Sequence, residues 1–132
     1  MPYMFLNGGG MRGGDLHHLL RGAPLVSDQA RTAPRYRLHS VGGRYPALEP
    51  VATGGTTITG EMYDLPLDVL RDSLLPAEPA ELELGVIELA DGTPSLGMIL
   101  RRPCPPLGEL TDISEYGGWR AYQDQRGREA RR

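Results

Sequence analysis

The 132-residue chain contains no lysine, and all fourteen of its basic residues are arginine. That absence excludes Schiff-base chemistry, a phosphate-binding P-loop lysine and a lysine general base. Cysteine is nearly absent too: Cys104 stands alone, so it has no internal disulfide partner, and with three histidines it leaves no zinc-ligand spacing. No metal and no cofactor are expected. No apolar run approaches the roughly 20 residues that span a bilayer, and the N-terminus lacks a basic region followed by a long apolar segment. The formal charge of −3 gives no electrostatic reason to expect nucleic acid. The expectation is a cytoplasmic protein with neither membrane nor nucleic-acid partners, whose acid–base chemistry must fall to a carboxylate, histidine, tyrosine or the thiol.

Glycine and proline, by contrast, are plentiful, at 18 and 12 residues, which favours short strands and turns over long helices. With 39% hydrophobic residues the chain is long enough for one core. A single α+β domain over residues 1–122 is expected, followed at 123–132 by a polar, basic segment read as a frayed helix or disordered tail.

The stretch from Tyr3 to Leu16 organises the rest. Tyr3-Met4-Phe5-Leu6 reads as a short buried strand and Asn7 to Gly14 as a tight loop. Asp15 is placed to cap a helix carrying Leu16, Leu19 and Leu20 and ending near Gly22. Glycines leave backbone N–H groups uncovered, so the loop can point several donors at one anionic or developing oxyanionic atom; the same residues also suit a merely tight turn. His17 and His18 are adjacent and diverge by about 100°, so they cannot both face one ligand.

Further along, residues 24–31 are extended, and Tyr36 to Val41 alternates as a strand does. Arg44 to Leu48 reads as a rigid loop, and Thr56 to Asp64 is rich in β-branched and aromatic residues and forms a strand. Glu61 shares its face with Thr57, Thr59 and Tyr63; lining a cleft it would be an acid or base, elsewhere a surface carboxylate. Leu67, Leu70 and Leu74 supply one face of a short helix that Pro76 and Pro79 end. Leu82 to Ile87 and Ser95 to Leu100 form a hairpin, with Leu82, Leu84 and Val86 on one side. Pro103-Cys104-Pro105-Pro106 is a semi-extended linker, and Trp119 is large enough that its segment should dock back on the core.

Together, Phe5 to Gly14 with Leu16-His17-His18-Leu19-Leu20, Gly43-Arg44-Tyr45-Pro46-Ala47-Leu48 and Thr59-Gly60-Glu61-Met62-Tyr63-Asp64 resemble the gamma-glutamylcyclotransferase-like superfamily. Leu84 to Gly92 and Asp112 to Tyr122 look like the carboxy-terminal domain of allophanate hydrolase, which shares that fold, here in stand-alone form. The resemblance implies a small mixed β-barrel with short flanking helices and a ligand cavity rimmed by the glycine loop. It implies substrate binding by Asn7, Gly8, Gly9, Gly10, Met11, Arg12, Tyr45, Trp119 and Arg120. It also implies an acid–base glutamate just after the helix. An ungapped comparison sets Ala77 at that position with Glu78 one place along, which leaves Glu78 and Glu61 as the catalytic candidates. The implied partner is a small anionic substrate, a gamma-glutamyl amide or a carboxylated urea or carbamate. The non-enzymatic alternative is a binding or assembly module for a separate amidase subunit. A homodimer is compatible with either.

Overall fold

The computed structural model describes residues 2–101 and 110–130; the Cys104 linker expectation lies outside them. Among the described residues, eight strands form two sheets. The strands are β1 (Tyr3–Leu6), β2 (Leu25–Arg31), β3 (Tyr36–Val41), β4 (Tyr45–Pro50), β5 (Thr59–Asp64), β6 (Leu82–Glu88), β7 (Pro94–Leu100) and β8 (Leu110–Asp112). The larger sheet has the order β2-β5-β1-β7-β6, and the smaller has β4-β3-β8. β1 runs antiparallel to β5 and parallel to β7. β1 is the centre of the larger sheet because Met4, Phe5 and Leu6 are all buried, as a strand covered on both faces requires.

The larger sheet curls until its two edge strands meet at one end. Just beyond β2 and β6, Thr32 bridges Leu89, Ala33 N–H donates to Glu88 O at 3.0 Å, and Ala90 N–H donates to Arg31 O at 2.9 Å. The two sheets are stitched together where Tyr36 accepts Thr56 N–H at its carbonyl (2.8 Å) and Glu88 N–H at its hydroxyl (2.8 Å). The expected barrel is thus built as a curled five-stranded sheet and a separate three-stranded sheet, with edges joined at one end by single bridges rather than a continuous ladder.

Four local expectations are corrected. Arg44 to Leu48 is not a loop: from Tyr45 the chain is strand β4, and its prolines fit because β4 is a sheet edge that, among the described residues, pairs only with β3, where unpaired N–H positions suit proline. No helix follows Asp15. Leu16 N–H is drawn to Gly9 O at 2.9 Å, and only a 3₁₀ turn over His17–Leu20 forms before Arg21 and Gly22 take positive φ. Leu70 and Leu74 are buried as expected, but the segment from Leu67 is a short α turn (α1, Leu67–Val69) followed by π and 3₁₀ turns, which rotates Leu67 into solvent. On β6, Leu84 and Val86 face out, and Leu82 and Ile87 are the buried residues.

The C-terminal helix α2 (Trp119–Ala130) continues through the segment expected as a frayed helix or disordered tail. It is pinned at its first turn by buried Trp119 and further on by Arg126, whose Nη1 donates to Gly43 O at 2.8 Å and whose guanidinium lies over the Tyr122 ring. Gly118 permits the entry, since a side chain there would strike Thr59 Oγ1.

Candidate functional site

A cavity of about 560 Å³ opens at the end of β1. Its walls are the glycine loop, the β3–β4 turn at Arg44 to Pro46, the Ala77-Glu78-Pro79 segment, and Trp119, Arg120 and Gln123 of α2. Of the residues singled out in the sequence, Asn7, Gly8, Gly9, Gly10, Met11, Arg12, Tyr45, Glu78, Trp119 and Arg120 line this one space. Glu61 does not.

The loop is a wound, self-bonded structure. Met11 N–H donates to Gly8 O at 3.1 Å and Gly14 N–H to Met11 O at 2.9 Å. Among the described residues, the amides of Gly8, Gly9 and Gly10 have no acceptor. The glycines are required mainly by close approach. A Cβ on Gly8 would sit 2.9 Å from the Pro46 ring, and one on Gly14 would collide with the Gly9 carbonyl. Beside them, buried Asn7 is 8% exposed, and its Nδ2 has no partner among the described residues. An unmet buried donor of this kind costs about 1–3 kcal/mol.

Glu61 lies behind the loop, fully buried, with its carboxylate saturated. Oε1 accepts from Arg12 N–H (2.9 Å) and the Tyr63 hydroxyl (2.7 Å); Oε2 accepts from Arg12 Nε (3.0 Å) and Arg120 Nη2 (3.2 Å). Burial pushes the Glu61 carboxyl up, but these hydrogen bonds outweigh it and hold it at about 2. Burial and the bond to Glu61 push the Tyr63 hydroxyl well above its usual range. His17, whose Nδ1 is 3.0 Å from Gly10 O and whose ring packs on Tyr63, braces the loop against β5.

Glu78 is the opposite case. It follows the 3₁₀ turn Leu75–Ala77 with extended backbone, and its N–H donates to Leu75 O at 3.1 Å. Pro76 and Pro79 bracket it and set its side chain into the cavity wall, half-buried and without an ion-pair partner among the described residues. Burial pushes its carboxyl up to about 7. Two carboxylates thus sit on either side of one loop, one ionised throughout the physiological range and one titrating within it.

Sequence reasoning missed two site features. Glu81 is buried and accepts from the Tyr45 hydroxyl, fixing that ring in the wall. Arg44, stacked over Tyr45 with its guanidinium carbon 5.4 Å from the ring centroid, lines the cavity directly. Their proximity depends on β4 being a strand. Among the described residues no cluster of histidine, cysteine and carboxylate side chains could hold a metal, and no helix is long and apolar enough to cross a membrane.

Residues 3–124 match the allophanate hydrolase C-terminal domain family. No curated protein matches the chain. Among solved structures, a uropathogenic E. coli-specific protein is similar with a TM-score of 0.84 and 35% identity, over 93% of this chain and 95% of that one. Allophanate hydrolase from Kluyveromyces lactis gives a TM-score of 0.83 and 26% identity over 94% of this chain, which spans only 21% of that enzyme. An uncharacterized protein from Pyrococcus horikoshii, 15% identical, matches with a TM-score of 0.72 over 97% of this chain and 98% of its own. The fold is α+β and gamma-glutamylcyclotransferase-like.

Proposed function

Because the chain belongs to the allophanate hydrolase C-terminal domain family, we propose that it is a small acid–base enzyme. Its substrate is a small anionic, amide-like molecule, a gamma-glutamyl amide or a carboxylated urea or carbamate, and Glu78 is its proton carrier. The observation that carries this reading is Glu78 itself: a cavity-lining carboxyl held near neutrality across from a loop whose Gly8, Gly9 and Gly10 amides are unoccupied. A group titrating near the working pH both takes a proton and returns it.

For a gamma-glutamyl amide the steps balance. Glu78 accepts a proton from the substrate's ammonium, the freed amine attacks the γ-carbonyl, and the loop amides stabilise the oxyanion. As the C–N bond to the leaving amine breaks, Glu78 returns its proton to that nitrogen, then takes the second proton from the ring nitrogen and passes it to the departing amine, so that a neutral 5-oxo ring and an ammonium product remain. Glu61 has another role: already ionised and fully hydrogen-bonded, it fixes Arg12 and so the shape of the loop.

The test is to assay the parent, Glu78→Gln and Glu61→Gln for 5-oxoproline release from gamma-glutamyl amides and for turnover of carboxylated ureas and carbamates. Loss of about 10²-fold or more in kcat for Glu78→Gln, with its fold intact, supports the reading. A second reading is a binding module for a separate amidase, favoured by the chain's match to only 21% of the Kluyveromyces lactis allophanate hydrolase. It replaces the first if the parent turns over neither substrate class, even beside an amidase partner.

A further inference from the structure

We infer that Arg44 reads the substrate's carboxylate and makes the cavity select acid-amides over neutral amides; the inference rests on the amide-substrate reading above. Among the described residues, three cationic side chains line the cavity, Arg12, Arg44 and Arg120. Two are engaged inside the protein. Arg12 holds Glu61 and lies 3.5 Å from Asp28, while Arg120 Nη2 bridges Arg12 O at 2.7 Å and Glu61 at 3.2 Å. Arg44 has no ion-pair partner among the described residues. Among the described residues the cavity lining otherwise contributes the carboxyl groups of Asp15 and Glu78, which repel an incoming anion, so a substrate carboxylate has one free cation among them to choose.

The turn that presents Arg44 is built for it. Gly42 and Gly43 take positive φ (60° and 75°), Gly43 N–H donates to Ser40 Oγ at 3.0 Å, and Arg44 N–H donates to Val41 O at 3.1 Å. Stacking on Tyr45, itself fixed by Glu81, gives the guanidinium a platform without using its N–H donors.

The other end of the ligand is read across the seam where the two walls touch. Gly8 packs against Pro46 so tightly that a Cβ would fall 2.9 Å from its ring. Asn7 and Arg44 flank that contact, one on each wall, and Asn7 carries the unmet buried donor. A short chain with a carboxylate at one end and an amide at the other supplies an acceptor for Asn7 and an anion for Arg44.

Isothermal titration of the full chain with malonamate, succinamate and glutaramate, each against its neutral diamide, tests this directly. At least one acid-amide is expected to bind the parent tenfold or more tightly than its diamide. Arg44→Gln should abolish that preference while leaving diamide affinity and the unfolding midpoint unchanged, since Arg44 is an exposed turn residue. Equal affinity for acid-amide and diamide, a preference that survives in Arg44→Gln, or no binding of any of the three acid-amides overturns the inference. Glu78→Gln should keep the acid-amide preference. A preference lost only in Arg44→Gln, together with turnover indifferent to Glu78, would therefore sink the catalytic reading and leave this one standing.

Discussion

Arg120 Nη2 lies 3.2 Å from Glu61 Oε2, joining the first turn of α2 to β5, an inner strand of the larger sheet. The same nitrogen donates to Arg12 O at 2.7 Å, so one guanidinium ties the helix to the strand and to the glycine loop. Arg126 does the equivalent for the opposite wall through Gly43 O. The helix therefore holds both walls of the cavity, and the Glu61 carboxylate is the fixed point beneath them.

This arrangement makes stability depend on acid pH in a defined direction. The Glu61 carboxyl falls from its ordinary 4.5 to about 2 on folding, so its contribution is present above pH 4.5 and disappears as pH drops through 2. Its size is roughly 3–4 kcal/mol. Urea titrations at pH 7 and pH 2.5 should show a loss in the parent that is clearly smaller in Glu61→Gln, which starts from a lower value.

Glu78 has the opposite sign. Its folded-state value is raised from 4.5 to about 7, so the protonated carboxyl favours the fold below pH 4.5, and that contribution is lost as pH rises through 7. Glu78→Gln should match the parent in unfolding midpoint at pH 4 and exceed it at pH 8. A variant less stable than the parent at pH 8 would mean that the Glu78 carboxylate has a stabilising partner.

The loop glycines separate by packing. Gly14→Ala drives a Cβ into the Gly9 carbonyl and should cost more than about 2 kcal/mol, as backbone strain of this kind does. Gly9→Ala meets only Leu16 atoms at 3.5 Å or more and should stay within about 1 kcal/mol of the parent. Chemical denaturation of both variants checks the contrast, and equal losses would contradict this account of the loop.

Much of this was legible in the sequence, for reasons that are local. The strand at Tyr3 to Leu6, the tight glycine loop and the β6–β7 hairpin follow from short-range patterns, and the large aromatic Trp119 could be placed against the core from its size alone. What was not legible is long-range. Glu61 shares a face with polar and aromatic neighbours on β5 and looks like a cleft residue. Only contact with Arg12 and Arg120, 49 and 59 positions away, turns it into a buried anchor. The family resemblance marked Glu78 one place from the expected glutamate, but whether the bracketing Pro76 and Pro79 aimed it at solvent or inward depended on the loop opposite. Arg44 was hidden because proline-containing β4 reads as a loop until its edge position is known.

The central claim is that Glu78 is poised to exchange a proton at neutral pH within the cavity, and carbon-13 NMR of the labelled glutamate side-chain carboxyls measures it directly. The resonance assigned by its disappearance in Glu78→Gln should titrate with a midpoint near 7. A midpoint in the ordinary glutamate range, near 4.5, would contradict the account.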